Sequence, residues 1–254
     1  MLSGTFISYI SICSCLLMLA FCAKSVSNSE PRQVIRVNYA DDPDGVKTFE
    51  YDTEGNITMM VLGHDTIVYT YSTSKITKRY LDKKGHWDIG SDFTLDASGR
   101  VISSEVLGED GEIISRCQFI YDQEGYLTGM DRETVRSGTQ FHYNYEYKDG
   151  NLVLTKEIDE QGIVQAKYVC EYYPDMNMDQ NIFLEAFSEE IFSNNRTGKM
   201  SKNRIKNTFS ISKEGDTMSN LNYHYEDIND PKKIKMIQKD VFNEFEIDIT
   251  YHFR

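Results

Sequence analysis

From Gly85 onward, glycines recur at 85, 99, 111, 125, 138, 150 and 162, in steps of 12 to 14 residues. No other feature of the chain limits its fold as tightly. Most of these glycines close a polar cluster, as in Asp96-Ala97-Ser98-Gly99, Asp122-Gln123-Glu124-Gly125, Lys148-Asp149-Gly150 and Glu160-Gln161-Gly162. Glycine supplies the positive φ that a short hairpin loop needs, and Asp hydrogen-bonds the turn's own backbone. Upstream, Asp41-Asp42-Pro43-Asp44-Gly45, Asp52-Thr53-Glu54-Gly55 and Gly63-His64-Asp65 extend the series as turns. Connections this short hold no crossover helix, so consecutive strands pair antiparallel in an up-and-down meander.

Between the turns the residues alternate with period two, as half-buried strands do. Phe141, Tyr143, Tyr145 and Tyr147 share one face, with Gln140, His142, Asn144 and Glu146 on the other. Near the end of the chain, Phe245, Ile247, Ile249, Tyr251 and Phe253 oppose Glu244, Glu246, Asp248, Thr250 and His252. The pattern predicts an all-β fold of roughly 14 to 16 strands, as a curled sheet or barrel. One stretch breaks it: Ile182, Phe183, Ala186, Phe187, Ile191 and Phe192 fall at near-helical spacing, which predicts an amphipathic helix over 179–192 with Asp179 as N-cap. A polar, basic linker follows from Ser193 to Lys206.

The first 22 residues contain no Asp, Glu, Lys or Arg and are densely apolar. Leu19-Ala20-Phe21-Cys22 resembles the lipobox of bacterial lipoproteins, although Phe21 stands where that motif has a small residue and no cation precedes Lys24. The resemblance implies a signal peptide over 1–21 and lipidation of Cys22, with Cys15 the weaker candidate. Residues 22–33 then form a tether and 34–254 a single β domain. Acyl chains contribute about 0.8 kcal/mol per buried methylene, so the lipid would hold the domain to the membrane. With 40 acidic against 27 basic side chains and a net charge of -13, the chain has no electrostatic footprint for nucleic acid.

The segments Phe49-Glu50-Tyr51-Asp52-Thr53-Glu54-Gly55 and Phe119-Ile120-Tyr121-Asp122-Gln123-Glu124-Gly125 resemble the YD repeat of large bacterial shell-forming toxins. The set of lipobox, YD-like hairpins, Phe-rich helix, Gly198-Lys199-Met200-Ser201-Lys202-Asn203 and terminal aromatic strand is similar to a family of Bacteroides lipoproteins with a porin-like fold. That resemblance implies an outer-membrane lipoprotein of the cell envelope and brings no catalytic or binding residue with it. Ala23 to Ser29 carry no acidic residue, which in that group implies the periplasmic face, with surface display as the alternative.

No nucleophile elbow, zinc motif, phosphate loop or Cys-x-x-Cys stands in the mature chain, so no enzyme is expected, an envelope hydrolase being the alternative. No cofactor and no metal are expected either. Asp41, Asp42 and Asp44 lack the distal carboxylate of a calcium loop and read as turn residues. His64, His86, His142, His224 and His252 are scattered, and Cys117 and Cys170 read as two buried thiols, with a disulfide as the alternative. Trp87, beside a turn, is the candidate ligand contact, where an exposed ring would stack on a sugar. Lys199, Lys202, Arg204 and Lys206, and Lys232, Lys233 and Lys235, form local basic patches that read as charged protection of a sheet edge, with contact to anionic headgroups as the alternative. Cations within 75–81 and 232–239 argue against strands facing lipid. The expected function is a lipid-anchored binding or scaffolding module for an envelope protein or a glycan; the alternative is a barrel that carries an apolar ligand.

Overall fold

The computed structural model describes residues 32–39, 42–63, 65–82, 84–177, 196–227, 233–239 and 244–253. The leader, Cys22 and the helix predicted over 179–192 lie outside them. Sixteen strands stand among the described residues. They are β1 (Arg32–Tyr39), β2 (Asp42–Tyr51), β3 (Ile57–Leu62), β4 (Asp65–Tyr71), β5 (Lys75–Leu81), β6 (Trp87–Leu95), β7 (Val101–Gly108) and β8 (Ile113–Tyr121). There follow β9 (Leu127–Thr134), β10 (Thr139–Lys148), β11 (Asn151–Asp159), β12 (Val164–Asn177), β13 (Asn203–Ser212), β14 (Thr217–Asp227), β15 (Lys233–Lys239) and β16 (Glu244–Phe253). Each pairs antiparallel with its chain neighbours, and β1 pairs with β16 through Arg36 opposite Thr250 and Val37 opposite Ile249, which closes the meander into a barrel.

Seven hairpins share one turn geometry. In residues 52–56 the Asp52 N–H donates to the Asn56 carbonyl and the Gly55 N–H to the Asp52 carbonyl, which leaves Gly55 at φ 90°. This is the three-residue loop in which the last position is left-handed. The same pair of bonds recurs at 82–86, 96–100, 108–112, 122–126, 159–163 and 212–216. The aspartates fix it further: Asp52 Oδ1 accepts the N–H groups of Glu54 and Asn56, and Asp96 Oδ1 those of Ser98 and Arg100. One cluster behaves otherwise. Asp42 to Gly45, read as a turn, lie within β2, where Asp42 pairs with Tyr39 of β1 and extends that hairpin almost to its tip.

Period two then sorts side chains between the interior and the surface. On β8, Ser115 is buried while Ile114, Arg116, Gln118 and Ile120 are exposed. A round barrel of this strand number would leave a water channel. Here one continuous apolar cluster joins Phe49, Ile57, Met60, Ile67, Ile76, Phe93 and Val101 of β2 to β7 with Ile205, Tyr223 and Tyr225 of β13 and β14, on the opposite side of the ring. Each such large side chain contributes about 1.5–3 kcal/mol by leaving water, so the interior at this level is packed. The cations of β5 divide by the same rule. Lys75 and Arg79 reach Asp92 on the outside at 2.7 Å, whereas Lys78 points inward, is only 2% exposed and lies 4.9 Å from the centre of the Tyr80 ring.

Candidate functional site

One mouth of the barrel is strapped by its own chain. Tyr71 on β4, Tyr121 on β8 and Tyr172 on β12 each donate to a carbonyl of the neighbouring strand, those of Ile57, Val101 and Leu152, at 2.7–2.8 Å. Burial comes first among the causes that raise all three phenols, so the hydroxyls stay protonated and donate. Residues 196–203 then run over the hairpin tips. Arg196 Nη1 donates to the Gly99 carbonyl and Nη2 to Asn56 Oδ1, while the Arg196 carbonyl accepts the Val101 N–H at 2.7 Å. The Lys199 and Lys202 N–H groups donate to the carbonyls of Gly125 and Gly150, and Asn203 exchanges two bonds with Asn151. The stretch read as basic edge protection therefore serves as a strap, since a closed ring leaves no edge to protect.

Away from that mouth, a cavity of about 480 Å³ is bounded by β8, β9, β10 and the β11–β12 turn. Its lining includes Arg116, Gln118, Asp131, Gln140, Phe141 and His142. Cross-strand register assembles it: Arg116 faces Glu133, which faces Gln140, and Gln118 faces Asp131, which faces His142. Some of its charges are paired. Arg116 lies 3.2 Å from Glu105 and 3.7 Å from Glu133. His142 Nδ1 meets Asp131 Oδ1 at 2.5 Å and Nε2 meets Asn144 Oδ1 at 2.6 Å. The Asp131 bond, against a smaller opposing effect of burial, raises the imidazole above its ordinary value. A Cβ at Gly129 would meet that ring at an ordinary contact distance of 3.6 Å, and Ile120 more tightly, at 3.3 Å. This assembly was hidden from sequence reading because it depends on the pairing of three strands.

Trp87, the residue chosen from sequence, opens β6 beside the 82–86 turn, and the Arg79 guanidinium lies 5.1 Å over its ring. Gly90 permits this, because any Cβ there would fall 2.6 Å from Arg79 Cδ. His142 and His224 stand on β10 and β14, four strands apart, and His252 is on β16. Cys117 and Cys170 are both free thiols, the latter pushed up to about 12, chiefly by burial. Among the described residues no group of three His, Cys, Asp or Glu could hold a metal ion, and no helix is long and apolar enough to cross a membrane.

No family model and no curated protein matches the chain. Solved structures do. A porin-like protein from Bacteroides uniformis, 11% identical, superposes with a TM-score of 0.61 over 89% of this chain and 96% of its own. A porin-like protein from Bacteroides vulgatus, 16% identical, gives 0.56 over 87% and 99%. At such identities the likeness is one of fold.

Proposed function

We propose that this protein is a lipid-anchored binding or scaffolding module of the bacterial cell envelope, holding a polar partner such as a glycan or another envelope protein. The packed interior carries this reading, because a barrel whose opposite walls share one apolar cluster has no through-passage and no room there for an apolar cargo. The exterior supports it. Of the described outward side chains, Glu105, Arg116, Asp131, Glu133, Glu146 and Lys156 form ion pairs on β7 to β11, where a lipid-facing band would be apolar. Porin-like neighbours from Bacteroides and the lipobox-like Cys22 support an envelope address. The test is native mass spectrometry of the full chain from its own membranes, together with conductance in planar bilayers. A polar mass lost on denaturation and no conductance are the expected outcome. A bound apolar mass, or an ion current, would overturn the reading.

A further inference from the structure

We infer that the strapped rim of the barrel is its membrane-facing end, with Lys148, Lys199 and Lys202 resting on anionic lipid headgroups; the inference rests on the lipid-anchored reading and adds the side on which the barrel lies. Register decides where the chain enters the ring. Arg32, the first residue of β1, pairs with Phe253 at the end of β16, and β2 runs back from the β1–β2 tip to the 52–56 turn. Arg32 therefore stands on the same rim as the turns 52–56, 96–100 and 122–126 and the strap that crosses them. Cys22 is ten positions earlier, so the intervening chain can span at most about 35 Å. That limit keeps one rim or the other near the lipid, and charge decides which.

Seating the strap gathers cations from distant parts of the sequence. The bond from the Lys202 N–H to the Gly150 carbonyl sets Lys202 beside Lys148, the last residue of β10, and the bond from the Lys199 N–H to Gly125 sets Lys199 one hairpin along. All three lysines are exposed, and none is ion-paired with another described residue. Lys199 Nζ stands 5.0 Å over the Tyr126 ring, which holds it on the rim without neutralising it. Glu54, Glu124 and Asp149 are interspersed on this rim. The far rim differs. Glu109, Asp110 and Glu112 crowd the 108–112 turn with no cation among them, Glu160 adds another exposed carboxylate at 159–163, and Lys213 is already paired with Glu214. On a chain of net charge -13, an anionic bilayer repels that rim and accepts the strapped one. A closed ring gives the strap lysines no edge to guard, and headgroups supply the anions that the protein does not.

The full-length chain, purified from its own membranes, is reconstituted in phosphatidylcholine vesicles with and without phosphatidylglycerol, a nitroxide on the lipid headgroup serving as quencher. Two tryptophans report the two rims. One is native Trp87, beside the 82–86 turn of the far rim; the other is Gln123→Trp in a Trp87→Phe background, on the exposed 122–126 turn. With phosphatidylglycerol present, the Gln123→Trp reporter is quenched at least threefold more than Trp87. Salt at about 1 M, which cuts the screening length to about 3 Å, removes the difference. Lys148→Gln, Lys199→Gln and Lys202→Gln together do the same while the circular dichroism and melting midpoint stay fixed; Lys84→Gln with Lys213→Gln, on the far rim, leaves it in place. Equal quenching of the two reporters, stronger quenching of Trp87, or a difference indifferent to salt and to the strap-rim lysines would overturn the inference while the chain still floats with the vesicles. A chain that does not float with them would remove the lipid-anchored reading, and the inference with it.

Discussion

Gly198 sits where no side chain fits. Its φ is 90°, and a Cβ would fall 2.7 Å from the Gly125 carbonyl oxygen and 2.8 Å from the Tyr121 ring. Neither can retreat, because one is backbone and the other is bonded to Val101. Gly85 has a similar φ of 81° with nothing within 4 Å. Gly85→Ala is therefore expected to cost only the left-handed penalty, about 1–2 kcal/mol, and Gly198→Ala that penalty plus an overpacking cost of about 1–3 kcal/mol. Urea melts of the two variants check this, and equal losses would mean that the strap is not seated as described. In the sequence the two glycines look alike. Gly85 was legible because its turn is local, whereas the demand on Gly198 comes from Tyr121 and Gly125, more than seventy positions away.

At the scale of the hairpin, the turn aspartates make stability depend on acid. The His86 N–H bond is the main cause holding Asp82 below the ordinary carboxylate value, and the Ile163 N–H does the same for Asp159. For Asp52 and Asp96 burial works upward, but the bonds from Asn56 and Arg100 and their neighbours outweigh it. Folded values below unfolded ones mean that this stabilisation is complete above about pH 4 and is lost as pH falls through the folded values. His142 has the opposite sign. Its raised value gives stabilisation that is complete below about pH 6.5 and fades as pH rises through the folded value. Urea midpoints measured from pH 2 to 9 should fall at the acid end, less steeply in Asp96→Asn, and sag at the alkaline end only while His142 is present. The turns were readable from Asp and Gly spacing; Asp42 to Gly45 misled because the same residues can extend an edge of a long hairpin.

For the molecule as a whole, the strap and the packed interior set which parts open together. Replacing 196–202 with a Gly-Ser sequence of equal length, with Gly at 201, removes the Arg196 guanidinium that seats the carbonyl accepting the Val101 N–H, and the Ser201 hydroxyl that accepts the Leu152 N–H. Hydrogen exchange should speed up at those two amides while the mid-strand amides of β4 to β6 stay protected; uniform loss would show that the strap holds the entire ring. Strand number and antiparallel order were legible, since alternation and turn spacing are local signals. Closure was not, nor was the cavity at β8 to β10, because both depend on pairings that no short window contains. The seam of the ring has a consequence in time. Arg36 and Thr250, which face each other across it, are 214 positions apart, whereas each hairpin joins residues close in sequence. Hairpins can zip locally, yet the seam must wait until the two flanks of the whole sheet meet. Ring closure is therefore the slow step in folding this barrel.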